Sequence, residues 1–155
     1  MKKNIKIILV VLWMALIFYF SSMPAAVSSQ KSDFVIKLFE LMGLDLNSML
    51  GSMAEFVVRK AGHFTEYFIL FLLWFNVLFE KFNLRKAIGY SLAAVFLYAC
   101  TDEFHQLFVP GRAGRFTDVL IDFSGGCLGA AVRYLWLKTK GMDFEELKKE
   151  DIKDE

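Results

Sequence analysis

The sequence predicts an all-α fold: a polytopic membrane helical bundle of about four transmembrane helices plus a short extracytoplasmic amphipathic helix. Three observations carry that expectation. Of the 155 residues, 56% are hydrophobic, and they fall in long blocks instead of alternating with polar residues. Only 2 prolines interrupt the chain, so long helices meet few breakers. The ionisable residues inside the apolar blocks recur at spacings of three and four, which is the period of a helix.

The totals set outer bounds. The length suits one domain, a transmembrane unit over residues 1–140, with a charged cytoplasmic tail over 141–155 that lacks a sustained apolar face. The net charge of +1 gives no electrostatic footprint for nucleic acid. Cys100 and Cys127 lie in apolar runs with no CxxC spacing, where a free thiol behaves as a small hydrophobe.

Lys2, Lys3 and Lys6 precede an apolar run over residues 7–20 that leads into Ser21, Ser22, Met23 and Pro24. A cleavable signal peptide shares that pattern, but an uncleaved anchor extended through residue 27 reaches spanning length and keeps the number of spans even. In the mixed stretch 28–51, Ser32 is a candidate cap for a short helix carrying Phe34, Val35, Leu38, Phe39, Leu41 and Met42, stopped at Gly43. Its apolar face suits the membrane surface or the side of a bundle. Ser52 and Glu55 form a capping-box pattern that places a new helix start at Met53. That helix runs through Arg59, Lys60, His63 and Glu66 and spans to Phe79. A third span covers residues 87–101 and reaches toward Asp102. Pro110-Gly111 marks a turn, and a fourth span covers 117–137. Gly125, Gly126, Gly129 and Ala130 give this last helix a small-residue face.

Four spans leave both termini on one side. Lys2, Lys3 and Lys6, then Lys81, Arg85 and Lys86, then Arg133, Lys138 and Lys140 all fall on that side, which the positive-inside rule makes cytoplasmic. Every unusual polar group then meets at the outer face, in one extracytoplasmic pocket.

Helical phase sorts the members of that pocket. His63 and Glu66 share a face, as do Asp102, His105 and Gln106, while Glu103 points elsewhere. Arg115, Asp118 and Asp122 form a ladder that continues into the glycine row. Ionisable groups at membrane depth cost about 2.5–3.5 kcal/mol each, so they mark function and have partners. The candidate catalytic set is His63, Glu66, Asp102, Glu103, His105, Gln106 and Asp122, with the histidines as acid and base. Arg112, Arg115, Asp118, Ser22 and Tyr67 are candidates for substrate binding, Arg112 and Arg115 as clamps for a phosphate or carboxylate. For Arg59, Lys60, Arg115 and Asp118, solvation or local pairing at the interface is an equal reading. His63, Glu66, Asp102 and His105 are also of the type that ligates a divalent metal, although at no established spacing.

These residues resemble the VanZ-like family of bacterial membrane proteins. The resemblance rests on Phe20-Ser21-Ser22-Met23-Pro24, on Lys60, His63, Phe64, Glu66 and Tyr67, and most specifically on Thr101-Asp102-Glu103, His105-Gln106, Phe108-Val109-Pro110-Gly111-Arg112 and Gly114, followed by Asp118, Asp122 and Gly126. Where the family commonly has Ser-Ser-Gln-Pro, this chain has Met23. The resemblance implies a small multi-span protein of the bacterial cytoplasmic membrane, and the founding member is associated with resistance to the glycopeptide teicoplanin. The convergence of acid–base and anion-binding residues on one side gives the expectation of an enzyme acting on a lipid-linked or cell-envelope substrate at the outer face, by hydrolysis or group transfer at a phosphate or glycosidic centre, with membrane lipids and an envelope precursor or glycopeptide as partners. The alternative is a non-catalytic binding or scaffold protein for a lipid, antibiotic or envelope precursor. A transporter fits less well, because its site belongs near the midplane.

Overall fold

The computed structural model describes residues 3–141, and every regular element among them is helical. In chain order these are α1 (Lys3–Ser21), α2 (Ala25–Leu41), α3 (Leu46–Leu50), α4 (Ala54–Leu78), α5 (Leu84–Gln106) and α6 (Phe116–Thr139), with a 3₁₀ turn at Gly51–Met53 before α4. Most of the expected charged tail, residues 142–155, lies outside the described residues.

The all-α class agrees with the expectation, but the span count is narrower. Two stretches, Lys3–Ser21 and Leu46–Leu78, are long and apolar enough to cross a membrane by length and composition. The apolar runs that became α5 and α6 are diluted by Lys86, Ser91, Asp102 and Glu103 in one, and by Asp118, Asp122, Ser124 and Arg133 in the other.

Helix α4 is central. It packs against α6, α5, α1 and α2, and its Tyr67, Leu70, Phe71 and Phe75 are fully buried. Phe71, Phe75 and Phe79 stack in sequence along it. On α1 the buried positions Val10, Ile17 and Ser21 lie on one stripe, and Met14, partly buried, continues it. Side-chain donors tie the helices through main-chain carbonyls: Trp13 Nε1 donates to Glu66 O at 2.9 Å, and the Tyr98 hydroxyl donates to Met14 O at 2.6 Å.

The glycine row sets the α4–α6 spacing. A Cβ at Gly125 would collide with the main chain of Phe64, and one at Gly129 would press on Phe71 and on the Phe68 carbonyl. The two backbones therefore touch, as small-residue interfaces permit. Gly125 is also one helical turn from Asp122, so this contact places Asp122 beside the turn of α4 that carries His63.

One helix start differs from the expectation, and α4 starts at Ala54, beside the expected Met53, without the expected cap. Helix α2 begins at Ala25 and not after Ser32, because Pro24 fits the position before a first turn and the Ala25 amide donates to Pro110 O at 3.2 Å. Ser32 sits inside the helix and donates to Ser28 O. The Ser52–Glu55 capping box does not form. Asp45 instead caps the short α3 by accepting from the Ser48 amide at 2.9 Å, and Gly51, at φ +56°, turns the chain. Gly43, at φ +88°, ends α2 as expected. Helix α2 leaves Phe34, Leu38, Leu41 and Met42 exposed, which is the apolar face expected of an interfacial helix.

The bundle has two polar ends. At one, Lys6 of α1 pairs with Glu80 and donates to Asn76 O, while Arg133 of α6 reaches Asn76 Oδ1 at 3.4 Å. At the other end lie the end of α1, the start of α2, His63, Asp102, Asp122 and the loop carrying Arg112. Residues 63 and 76 are separated by about 20 Å of helix at 1.5 Å per residue.

Candidate functional site

Three helices each contribute one residue to the centre of the second end. His63 comes from α4, Asp102 from α5 and Asp122 from α6. One ligand-type atom from each lies within 4.8 Å of the others. His63 Nδ1 is 3.9 Å from Asp122 Oδ1 and 3.7 Å from Glu66 Oε2. Asp102 and Asp122 are only 3% and 1% exposed. His63 Nδ1, Asp102 Oδ1 and Asp122 Oδ2 are all buried without a hydrogen-bond partner among the described residues. Two fully buried hydroxyls, Ser21 Oγ and Tyr67 Oη, share that state. Ser21 lies beside the Asp102 carboxyl, and Tyr67 sits in the field of Asp102, Asp122 and Glu66.

A second layer holds this centre. Gln106 Nε2 donates to Asp102 Oδ2 at 3.3 Å, and Arg112 Nη1 reaches Gln106 Oε1 at 3.5 Å. Arg112 also donates from Nε to Met23 O at 3.0 Å and from Nη2 to Phe20 O at 3.3 Å. It therefore clasps the end of α1 to the α5–α6 loop. Burial, with the neighbouring Arg59 charge adding to it, holds its guanidinium below its ordinary pKa. Gly111, at φ +74° and packed on Ala25, makes the turn that aims this arginine inward. Glu103 leaves the centre and accepts from the Arg115 amide at 2.9 Å. A carboxylate from α5 thus satisfies an orphan donor at the start of α6.

Two clefts open onto the centre, and both include Arg59, His63 and Arg112. One, of about 210 Å³, lies toward Lys60, Gln106, Arg115 and Asp118. The other, of about 230 Å³, lies toward Phe20, Met23, Val35, Val58 and Glu66. The first is charged and the second is mainly apolar, and His63 stands between them.

The sequence-predicted residues separate in space. The structure gathers His63, Glu66, Asp102, Asp122, Gln106 and Tyr67 around one point, and Arg112 and Arg115 line the charged cleft. Asp118 pairs with Lys60 at 2.5 Å at the edge of that cleft, which satisfies the local-pairing reading for both. His105 packs on the Phe18 ring at 4.5 Å between centroids and lies outside the His63–Asp102–Asp122 group, although its charge would be felt by Asp102. Ser22 turns away and donates to Phe18 O. Its neighbour Ser21 enters the site instead. Ser21 was findable from sequence, because it continues the Val10–Met14–Ile17 stripe at spacings of three and four.

Most of the motif residues thus meet at one end of the bundle. The VanZ/LLP1 family model matches residues 6–137. The chain belongs to the VanZ/LLP1 family. No curated protein and no solved structure matches it. The match to VanZ/LLP1 runs from α1 into the last turns of α6, so every element that builds the centre lies within the family domain.

Proposed function

We propose that this VanZ/LLP1 member is a four-span protein of the bacterial cytoplasmic membrane, with both termini cytoplasmic and the His63 end facing outward. The lengths of α5 and α6, about 35 Å each at 1.5 Å per residue, and the basic residues gathered at the Lys6 end support this topology. In this reading α2 lies in the outer interface with Phe34 and Leu41 toward lipid.

The function proposed for the pocket is hydrolysis or group transfer on a lipid-linked or cell-envelope substrate, at a phosphate or glycosidic centre. One observation carries it: His63 stands where a cationic cleft meets an apolar one, with Glu66 beside it on the apolar side. A phosphorylated headgroup suits the arginine side and an acyl or prenyl chain suits the side of Phe20, Val35 and Val58. Arg59 and Arg115 bind the anion, since Arg112 is committed to main-chain carbonyls. His63 takes the proton of the attacking hydroxyl or water, and Glu66 returns one to the leaving oxygen. A link to teicoplanin resistance follows from the family.

The test is teicoplanin susceptibility in a sensitive host expressing variants at matched protein levels. Protection that survives His63→Ala and Asp122→Ala ends the proposal. Glu66→Gln against Glu66→Asp distinguishes turnover from binding: loss in Gln with retention in Asp marks acid–base work, whereas retention in both favours a binding protein.

A further inference from the structure

We propose that His63, Asp102 and Asp122 form a binding site for one divalent first-row transition ion, of the kind typified by Zn²⁺ or Mn²⁺. Two carboxylates this deeply buried are costly to hold ionised unless a compensating charge accompanies them, which a bound cation would supply. Among the described residues neither is ion-paired with a lysine or arginine. Lys60 is taken by Asp118 and Arg112 by carbonyls and Gln106.

The spacing fits an ion better than it fits direct hydrogen bonds. Ligands on a tetrahedral ion with bonds of about 2.1 Å stand about 3.4 Å apart. The His63 Nδ1–Asp122 Oδ1 distance of 3.9 Å lies just beyond that and exceeds hydrogen-bond length, and the ligand atoms of His63, Asp102 and Asp122 all lie within 4.8 Å of one another. Small rotamer shifts close the difference.

Independent support comes from outside the acidic pair. Tyr67 Oη is fully buried, has no hydrogen-bond partner among the described residues and lies in the field of Asp102, Asp122 and Glu66, and Ser21 Oγ lies against the Asp102 carboxyl, so both suit outer-sphere contacts to ligand oxygens or an ion-bound water. The donor set of one imidazole nitrogen and two carboxylates favours Zn²⁺ or Mn²⁺ over Ca²⁺ or Mg²⁺, which prefer all-oxygen cages. Three protein ligands leave coordination positions open toward the clefts, with Glu66 adjacent. The site shares the pocket of the proposed function but does not require that pocket to be catalytic; with the ion held at His63 Nδ1 that imidazole is a ligand, and Glu66 is left both to take and to return the proton.

Full-length protein in detergent, stripped with chelator, is to be titrated with Zn²⁺ and with Mn²⁺ by calorimetry and metal analysis. The expected result is one equivalent bound, with at least tenfold weaker binding in His63→Gln and Asp122→Asn and unchanged binding in Glu80→Gln at the opposite end. Unsaturated binding by the wild type, or uptake unchanged in both ligand variants, overturns the assignment. Co²⁺ added to the wild type provides a readout that needs no variant: visible d–d bands of a low-symmetry nitrogen–oxygen site are expected, and a spectrum matching aqueous Co²⁺ counts against it. If teicoplanin protection depends on Asp122 while no ion binds, the metal site falls and the functional proposal stands. If an ion binds and protection is insensitive to Asp122, the reverse holds.

Discussion

The two polar ends of the bundle use ionisable residues in opposite ways. At the Lys6 end, the charged groups are partly exposed and held by partners: Lys6 by Glu80, and Arg133 by Asn76 and the faces of Phe75 and Trp136, with its Nε alone buried and unpartnered among the described residues. At the His63 end, Asp102 and Asp122 are sealed from solvent with oxygens left unpartnered among the described residues. The first arrangement is what stability and topology ask of a helix end. The second costs stability, and such a cost is characteristic of a site kept for binding or chemistry. The difference teaches that charge at a helix end is informative only once its partners are known.

The sharpest way to break this comparison is to move α6 away from α4. Gly125→Leu would push a side chain into the Phe64 main chain, and we expect a loss of about 3 kcal/mol or outright failure to accumulate, read by thermal unfolding in detergent. Asp122→Asn should separate function from stability: protection is lost, while the metal-free protein melts at about the same temperature because an isosteric amide replaces a buried carboxyl that has an unpartnered oxygen. A large drop in melting temperature would mean that Asp122 is structural. Arg112→Lys retains the charge but loses the three-way clasp on Phe20, Met23 and Gln106, for an expected cost of about 1–3 kcal/mol. Limited proteolysis of the loop at residues 107–115 would report that loosening. The smallest effect should come from the opposite end, where Lys6→Met removes a solvent-exposed ion pair of the kind that contributes little to stability and leaves protection intact. A functional effect there as large as that of Asp122→Asn would erase the distinction between the ends.

Much of the site was legible before the fold was known, because a membrane-like chain makes ionisable residues conspicuous. His63, Glu66, Asp102 and Asp122 stood out in apolar surroundings, and helical phase already set Glu103 apart from Asp102. His105 and Ser22 were harder. Both belong to the right segment, but spacings of three and four assign a face only to within a wide arc, and that arc admitted Phe18 as well as the carboxylates as the neighbour of His105. Arg112 looked like an anion clamp because sequence shows side-chain chemistry and not the carbonyls of Met23 and Phe20 that occupy it. The helix start near Ser32 was misplaced because Pro24 and the Ala25–Pro110 contact begin that helix at Ala25, whereas α4 starts at Ala54, one residue from the expected Met53, without the Ser52 cap.

By itself the sequence determined the helical class, the blocks that pack, the glycine row and the end of the molecule at which chemistry gathers. Those follow from composition and period, which are local properties of the chain. Only the tertiary structure decided which atoms meet. The backbone contact at Gly125 brings Asp122 of α6 beside His63 of α4, and Asp102 of α5 completes a group that no spacing along one helix encodes. Distances between helices depend on side-chain volumes from several segments at once, so they are settled when the bundle closes.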